Sequence, residues 1–502
     1  MKFTLSWLKD HLETEASLEE IVEKLTMIGL EVEGVDDPAE RLAPFSVARI
    51  LEAGPHPDAD KLKLCKVEAL VGDKRDVLQV VCGAPNAKTG LLGIFAPPGA
   101  TIPANGMVLK PTKIRGVESN GMMCSERELE LSEEHSGIIE LEGEFEIGTP
   151  AADVLGQNDP VIEIAITPNR PDCLGVYGVA RDLAAAGLGT LKTPEAPLIE
   201  GAFESPVKIE IDAPEACPHF TGRMVRGVTN GASPEWMRKR LGAIGLRPIN
   251  ALVDITNYIS YDRGRPLHVY DAAKLTGNIR ARLGQGETFL ALDGKEYEAG
   301  TAMCVIADDK AVLGFGGIMG GEHSGSTEET TDVFIESAYF DPMRTAATGR
   351  KTGINSDARY RFERGVDPAF VEEGCDLAAK MIVEICGGEV SKLESAGAPA
   401  TEEKTITFNP ARVERLTGLK LEEAEIKTIL EKLGFKVTGA APAFAVAVPS
   451  WRPDIFGEAD LVEEVVRIHG LNEVRSQALP RRFDVAPAVL TIGQKRARQA
   501  RR

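Results

Sequence analysis

The spacing of apolar and polar residues predicts helices at the start of the chain. The first 40 residues contain two helical stretches, and the second opens with a capping box formed by Ser17 and Glu20. Ile21, Leu25 and Ile28 follow at intervals of four and three, the spacing that places side chains on one helix face. We therefore expect residues 1–40 to form an N-terminal helical segment.

The pattern then changes to short β segments separated by Gly, Pro and Asn. These segments run from about residue 45 to residue 148, which favours a small Greek-key β-barrel domain over residues 41–150. A helix is expected near residues 175–187, followed by a Pro- and Gly-rich stretch. We interpret residues 151–205 as a helical connector and linker.

The second half of the chain indicates further mixed domains. Residues 206–400 combine strand and helix patterns with many glycines, and residues 401–475 form a shorter α/β unit. In the shorter unit Asn409 is expected to cap a helix that begins at Pro410. Residues 476–502 are basic and show no core of their own, so the last of them are expected to be disordered or transiently helical. The fold class is multidomain α+β.

Composition narrows the possible environments. A chain of 502 residues with 43% apolar residues should form several globular domains. No apolar run approaches the roughly 20 residues of a membrane span, and the N-terminus lacks the pattern of a signal peptide. Eight scattered cysteines without a CxxC pair favour a reducing, cytoplasmic location. The net charge of -20 disfavours non-specific nucleic-acid binding, so such contacts must be local.

Two charged clusters are candidates for binding. In the stretch WRPDIFGEADLVEEVVRIHG, three acids would crowd together on one helical face and a fourth would approach from the extended segment before it; the three are Asp460, Glu463 and Glu464, and the fourth is Asp454. A hard cation such as Mg2+ would relieve their repulsion. A solvated helix face with acids near its N-terminus is the alternative. The barrel carries bases suited to a phosphate backbone, although interleaved acids also fit a solvated surface; these bases are Lys61, Lys63, Lys66, Lys110, Lys113 and Arg115.

Sequence motifs are more specific than charge. The barrel motifs resemble the tRNA-binding oligonucleotide-fold module of several aminoacyl-tRNA synthetases; they are PHPDADKL, VCGAPN and KIRGVESNGMMCSEREL. The rest of the chain resembles the beta-subunit family of bacterial phenylalanine-tRNA ligases, in the motifs ITPNRPDCLGVYGVARDLAA, PINALVDITNYISYDRGRPLHVYDAAKL, GFGGIMGGEHSG and IESAYFDPMRTAATGRKTGINSDARYRFERGVDP. The resemblance covers essentially the whole chain in the order of the family.

The resemblance implies an editing function. In this family a smaller alpha subunit performs ATP-dependent aminoacylation in an α2β2 heterotetramer, and the beta subunit binds tRNA and hydrolyses tyrosine wrongly attached to phenylalanine tRNA. Such a second site is needed because a hydrophobic pocket rejects an added hydroxyl only weakly. The implied pocket residues are Thr256, Asn257, His268, Gly317, Glu336 and Ala338. Glu336 would accept the phenol hydrogen bond, and hydrolysis would use a positioned water without a covalent intermediate.

Several interpretations remain open at this stage. A lone histidine is usually a core or surface residue, and only the surrounding GRPLHVYD singles out His268. Glu336 in isolation would pass for a surface acid at the end of a strand. The rival to an editing enzyme is a non-enzymatic scaffold that binds tRNA and a partner subunit while its pocket is inactive.

The resemblance also implies a metal, a partner and a longer chain. The four acids would form a Mg2+ site shared with the alpha subunit, and residues 401–475 would be winged-helix-like. No DNA binding is expected, because that unit lacks a basic recognition face. The family continues beyond this point with a catalytically inactive synthetase-like core, so residues 476–502 are interpreted as the start of a truncated domain.

Overall fold

The computed structural model describes residues 1–72, 74–132, 134–194, 199–399, 404–440, 442–476, 478–479 and 488–502. The α-helices are α1 Leu5–His11, α2 Leu18–Met27, α3 Pro38–Leu42, α4 Ala151–Leu155, α5 Val176–Ala185, α6 Glu235–Ala243, α7 Ala251–Arg263, α8 Pro342–Thr352, α9 Asp357–Phe362, α10 Val371–Cys386, α11 Ala411–Thr417, α12 Glu423–Lys432, α13 Glu458–His469 and α14 Ile492–Ala500. Short 3-10 helices cover Pro171–Leu174, Ala272–Lys274, Pro368–Phe370 and Leu471–Glu473.

The strands complete the α+β architecture. In chain order they are β1 Lys2–Thr4, β2 Leu12–Glu13, β3 Val32–Asp36, β4 Ser46–His56, β5 Ala59–Val71, β6 Lys74–Cys82, β7 Leu92–Ala96, β8 Thr101–Ile102, β9 Met107–Val108, β10 Thr112–Ile114, β11 Val117–Ser119, β12 Met122–Met123, β13 Val161–Ile164, β14 Thr190–Leu191, β15 Ile209–Ile211, β16 His219–Arg226, β17 His268–Asp271, β18 Ile279–Leu283, β19 Glu287–Leu290, β20 Glu296–Ala299, β21 Cys304–Ala307, β22 Val312–Phe315, β23 Met319–Gly320, β24 Asp332–Tyr339, β25 Glu389–Val390, β26 Glu394–Gly397, β27 Thr405–Phe408, β28 Lys436–Ala440 and β29 Ala443–Ala447.

The N-terminal helices form as the sequence predicts. The hydroxyl of Ser17 accepts from the backbone N–H of Glu20, and the Glu20 carboxylate accepts from the N–H of Ser17 in return. The predicted connector helix is α5. The chain passes through this region twice, because β13 pairs with both β1 and β3 to make one antiparallel sheet.

The predicted barrel is found as an open sheet. Five antiparallel strands run in the order β12-β7-β4-β5-β6. Among the described residues no ladder joins β6 to β12, so no closed barrel is found, although the Asn120 N–H just before β12 donates to the Gln79 carbonyl of β6 at 2.8 Å. Irregular register between Ile50 and Glu52, and again between Pro55 and His56, bends the long pairing of β4 with β5.

Residues 206–399 are built on two five-stranded sheets. One has the order β17-β24-β16-β25, with β26 also pairing to β16, and the other has the order β15-β18-β21-β22-β23. A shared core cluster joins them, with Phe220 and Phe334 from the first sheet and Ile306 and Leu313 from the second. Side chains on the opposite face of the first sheet, such as Ile335, belong to the core that includes α7 and α10.

The small C-terminal unit combines the sheet β27-β29-β28 with α11, α12 and α13. Helix α11 begins at Ala411, one residue later than expected, although the Asn409 carboxamide oxygen still accepts from the Ala411 N–H at 3.0 Å. Helix α14 has no buried residue, and residues 477 and 480–487 lie outside the described part of the expected 476–502 segment.

Candidate functional site

The candidate pocket residues with titratable side chains meet through strand pairing. The antiparallel register of β17 with β24 places His268 directly opposite Glu336. Tyr270 lies two residues after His268 and therefore points to the same face of the sheet. This face looks toward the second sheet, so all three side chains lie in the interior between the two sheets.

Glu336 is a buried carboxylate without a cation. It is 7% exposed, and its Oε2 accepts a short hydrogen bond from the Tyr270 hydroxyl. No described Lys or Arg forms an ion pair with it. Burial raises the pKa of Glu336 to about 7, and the Tyr270 hydrogen bond acts in the opposite direction. The carboxyl therefore changes charge near neutral pH.

His268 is held as a neutral imidazole. Its ring meets the edge of Tyr270 with 4.5 Å between centroids at an interplanar angle of 76°. Burial lowers the pKa of His268 to about 4. Its Nε2 is buried and has no hydrogen-bond partner among the described residues. An unpaired ring nitrogen can accept from or donate to a ligand or a water.

The glycine-rich turn between β22 and β23 closes over this histidine. A Cβ on Gly320 would lie 2.6 Å from the His268 Cε1, so the imidazole fits only because that position is glycine. The predicted Gly317 has a φ of +70°, and a Cβ there would approach Phe340 and Phe362 instead. The sequence motif contained Gly320, but nothing in its spacing showed that this glycine touches His268.

The remaining predicted pocket residues have separate environments. Thr256 is buried on α7, and its hydroxyl donates to the Val253 carbonyl at 2.7 Å. Asn257 is half-buried beside it. Ala338 is 1% exposed, and its carbonyl accepts from Arg265 at 2.8 Å. In the described residues no hydrogen bond joins Thr256, Asn257 or Ala338 to Glu336.

Two of the four predicted metal-binding acids are paired with arginines. Asp454 accepts from the Arg452 Nε and Nη2, each at 2.8 Å. Glu464 is 2% exposed and lies between Arg452 and Arg467, with contacts of 2.5 Å to each. Burial opposes ionisation of Glu464, but the two guanidinium groups outweigh it and hold its pKa far below the usual range.

The arginines extend this pairing to the connector. Arg467 also reaches Asp182 at 2.8 Å, and Asp182 accepts from Arg170 at 2.8 Å. Asp172, Cys173 and Asp182 lie close enough together to resemble a metal cluster. Arg170 contacts Asp172 at 2.9 Å as well, so arginines already neutralise both of these acids. The network ties α13 to α5.

The other two acids are arranged differently. The Asp460 carboxylate accepts from the Phe456 N–H at 2.7 Å and from the Gly457 N–H at 2.9 Å at the start of α13. Glu463 is exposed on the same helix, whereas its neighbour Glu464 points inward. The four acids therefore do not fit a single metal site within the described residues. Arginine supplies the positive charge at Asp454 and Glu464.

The basic residues of the open sheet also divide into two groups. The Lys63 Nζ donates to the carbonyls of Pro85 and Ala87 at 2.8 and 2.6 Å, and Lys66 pairs with Glu52 at 2.7 Å. The others are exposed, with only Lys113 near an acid, Glu118, at 3.9 Å; they are Lys61, Lys110, Lys113 and Arg115. Arg115 lies at the tip of the β10–β11 hairpin with a φ of +50°. No helix among the described residues has the length and apolarity of a membrane span.

Three family models match the chain in separate segments. The putative tRNA binding domain matches residues 45–150, the B3/4 domain matches residues 216–387, and the tRNA synthetase B5 domain matches residues 406–471. The segment 216–387 contains every predicted pocket residue, and the segment 406–471 contains all four acids.

Curated relatives match along the entire chain. The phenylalanine-tRNA ligase beta subunit of Mesorhizobium japonicum is 56% identical over 503 residues, covering 100% of this chain and 62% of that protein. The corresponding subunit of Rhodopseudomonas palustris is 54% identical with the same coverage. An N-terminal fragment of the phenylalanyl-tRNA synthetase beta subunit of Pyrococcus horikoshii is 18% identical and covers 66% of this chain and 90% of its own, with a TM-score of 0.34.

The folded domains and the three matched models define a multidomain α+β component of an aminoacyl-tRNA synthetase. Within that class the chain is similar along its whole length to phenylalanine-tRNA ligase beta subunits, and the resemblance found in the sequence is confirmed. The chain spans about 62% of the length of the curated relatives it matches.

Proposed function

We propose that this chain binds tRNA and hydrolyses tyrosine attached to phenylalanine tRNA. The observation that carries the proposal is Glu336, a buried carboxylate that lacks a neutralising cation and lies opposite a histidine with an unpaired ring nitrogen. Groups with strongly perturbed pKa values and no structural partner are candidates for function.

Glu336 is suited to distinguish tyrosine from phenylalanine. Its ionised carboxylate accepts the hydrogen bond of the tyrosine phenol, and phenylalanine offers no such donor. A hydrogen bond to a charged group contributes about 1.5–3 kcal/mol. A pocket that reads a hydroxyl in this way discriminates far better than a pocket that only excludes bulk.

His268 is suited to orient the attacking oxygen. With its pKa near 4 the imidazole is neutral at physiological pH, so its free ring nitrogen can hold a water or a terminal ribose hydroxyl. Thr256 and Asn257 are retained as proposed pocket residues, although no described hydrogen bond joins them to Glu336. Hydrolysis proceeds by attack of the water on the aminoacyl carbonyl: the carbonyl carbon gains the water oxygen, its bond to the ribose oxygen breaks, and the ribose oxygen takes up a proton released by the water.

Tyr270 competes with the substrate phenol for the Glu336 carboxylate. Its hydroxyl already donates to the Glu336 Oε2. The incoming tyrosine either uses the other carboxylate oxygen or displaces Tyr270, and both routes lower its affinity relative to an unoccupied acceptor. A Tyr270 hydroxyl that always stays on the carboxylate would leave the pocket inactive, as the scaffold alternative requires.

We further propose an oligonucleotide-fold type of tRNA-binding domain for residues 41–150 and a winged-helix-like arrangement for residues 401–475. The curved five-stranded sheet and the exposed bases within residues 41–150 support the first assignment. The predicted boundaries are retained as proposals, with an N-terminal helical segment at 1–40, a helical connector and linker at 151–205 and an editing domain at 206–400.

The proposed partner is an alpha subunit that carries out ATP-dependent aminoacylation in a cytoplasmic α2β2 enzyme. Mg2+ would stabilise negative charge at the subunit boundary. In this chain Asp460 and Glu463 keep carboxylate oxygens away from arginine, so they would contribute its ligands together with groups from the partner. Asp454 and Glu464 would hold α13 in position instead.

A deacylation assay tests the proposed function. The purified chain is incubated with phenylalanine tRNA charged with tyrosine, and in parallel with the same tRNA charged with phenylalanine. We expect faster release of tyrosine than of phenylalanine, with binding that weakens steeply as salt increases. Binding of both tRNAs without release of either amino acid would support the scaffold and contradict the enzyme.

A further inference from the structure

A cavity of about 510 Å3 lies where three parts of the chain meet, away from Glu336 and His268. Its wall comes from the connector around α5, from the editing domain, and from the segment of the small C-terminal unit between Lys432 and Trp451. The volume falls within the roughly 300–1,000 Å3 typical of small-molecule sites. Its wall carries basic and aromatic side chains together with three acids; they are Tyr177, Arg181, Arg263, Phe370, Lys432, Trp451, Asp172, Asp367 and Glu373.

Arg181 is the unusual member of this wall. It is 9% exposed, and its guanidinium carbon lies 4.3 Å from the centre of the Trp451 ring and 5.6 Å from that of Tyr177. It forms no hydrogen bond or ion pair with any described residue, and its Nε is buried without an acceptor. Burying a charge is costly unless it is paired. None of the described residues supplies an acceptor for this Nε.

The other charged groups around the cavity already have partners or face water. The Arg263 Nε donates to Asp262 at 3.0 Å. Asp172 accepts from Arg170 at 3.0 and 2.9 Å. At the rim Lys432 and Glu373 are both exposed and carry opposite charges. Arg181 is thus the buried cation of this wall that makes no hydrogen bond or ion pair with a described residue, although the Asp172 carboxylate is near enough to interact with its charge.

Three aromatic rings form part of the wall, and a glycine makes room for one of them. Tyr177, Phe370 and Trp451 are each half-buried and present part of their rings to the cavity. Gly434 has a φ of +93°, and a Cβ at this position would lie 2.5 Å from the Trp451 Cζ2. Only glycine combines this backbone conformation with room for the indole.

We propose that this cavity binds a nucleotide, with its phosphate on Arg181 and its base against the aromatic rings. The planar guanidinium matches two phosphate oxygens at once. Bases stack on aromatic side chains and on guanidinium planes, and the cavity offers both. A free mononucleotide and one nucleotide of a bound RNA present the same chemistry. Binding experiments with one probe of each kind distinguish the two.

The test uses AMP as the free probe and phenylalanine tRNA as the RNA probe. Each is titrated into the 502-residue chain, and binding is followed by tryptophan fluorescence, to which Trp451 should respond. Saturable quenching by AMP indicates a free-nucleotide site. Quenching by tRNA alone, lost when Trp451 is replaced by leucine, indicates a nucleotide of the RNA.

Two variants of Arg181 separate binding from folding. Arg181→Met removes the guanidinium group with its unpaired donor, so binding of the probe that binds the unmodified chain should weaken about tenfold or more. The melting temperature should stay the same or rise. Arg181→Lys keeps a buried cation but cannot contact two oxygens at once, and it should weaken binding to a similar degree. The matched control is Arg247→Met, because Arg247 is exposed and lies outside the cavity.

Three results would overturn the proposal. The first is that neither probe binds in a way that depends on Arg181. The second is that Arg181→Lys folds and binds as tightly as the unmodified chain. The third is that free phenylalanine or tyrosine saturates the cavity while AMP and tRNA do not, which would assign an amino acid as its ligand.

Discussion

Two buried glutamates of this chain differ in their surroundings and in the direction of their pKa shifts. Glu336 and Glu464 are 7% and 2% exposed, respectively. Glu464 lies between two arginines, and its pKa is held far below the usual range. Glu336 has an aromatic and aliphatic environment with one phenol donor, and burial raises its pKa to about 7.

The difference separates a structural carboxylate from a candidate functional one. A buried ion pair holds elements together because removing either partner leaves an uncompensated charge. A buried carboxylate without a cation costs stability, and such groups persist where a function requires them. The acids of α13 are the denser cluster in the sequence, yet the acid whose environment indicates a function is Glu336 on β24.

Breaking the arginine network should have the largest effect on stability. We expect Glu464→Gln to lower the free energy of unfolding by about 3–5 kcal/mol, because Arg452 and Arg467 lose a shared counterion in the interior. The measurement is denaturant unfolding at pH 7. The control is the adjacent Glu463→Gln, an exposed position whose change should stay within about 0.5 kcal/mol. Equal effects of both substitutions would refute the structural role of Glu464.

Removing the charge of Glu336 should have the opposite effect. Its pKa is about 7 when folded and 4.5 in its ordinary state, so between these values the folded chain holds the extra proton and stability falls as pH rises. Glu336→Gln mimics the protonated form and should be more stable than the unmodified chain at pH 8 by about 3 kcal/mol, or ~1.4 kcal/mol per pKa unit. The advantage should shrink toward pH 5. A constant difference across this range would contradict the raised pKa.

Freeing Glu336 from Tyr270 should sharpen recognition of the substrate phenol. Tyr270→Phe removes the internal donor, so release of tyrosine at low tRNA concentration should rise severalfold. The Tyr270 hydrogen bond lowers the Glu336 pKa, so its loss shifts ionisation upward, and the assay belongs at pH 8 with uncatalysed hydrolysis subtracted.

The chain offers a matched control for this substitution. The Tyr297 hydroxyl donates to the exposed Asp293 at 2.8 Å, in a hairpin away from the site. Tyr297→Phe should leave editing unchanged. Reduced editing by Tyr270→Phe at pH 8 would mean that the internal phenol supports the site and does not compete with the substrate.

The smallest expected effects concern the basic residues of the open sheet. Lys61→Ala and Lys110→Ala should each weaken tRNA binding a few-fold and reduce the slope of log affinity against log salt by about one. Lys63→Ala should mainly lower stability, because its ammonium holds two carbonyls of a loop. The measurement is tRNA affinity over a series of salt concentrations. Identical behaviour of all three variants would contradict this division.

The sequence predicted elements well where the signal was local. The capping box of α2 and the span of α5 are confirmed, because each depends on residues within a few positions of one another. The predicted barrel differs because closure depends on pairing between β6 and β12, which are distant in the chain. No local pattern determines whether such end strands meet.

The candidate site shows the same limit. The motifs identified His268 and Glu336, but their direct opposition depends on strand register across 68 positions and could not be read from either motif. The partners of Glu464 include Arg452, which lies 12 positions away and is brought close by the turn before α13. The sequence predicted Mg2+ at these acids, and that stays a prediction; the arginine partners of Asp454 and Glu464 were not predicted.

The proposed role of Glu336 in recognising tyrosine is tested most directly by the ratio of tyrosine to phenylalanine release from phenylalanine tRNA. The ratio is measured at pH 8 for the unmodified chain, Glu336→Ala and the control Glu463→Gln, each shown to be folded. Loss of a hydrogen bond to a charged group should reduce the ratio for Glu336→Ala by about ten- to a hundredfold, while Glu463→Gln retains it. An unchanged ratio in folded Glu336→Ala would show that this carboxylate does not read the phenol.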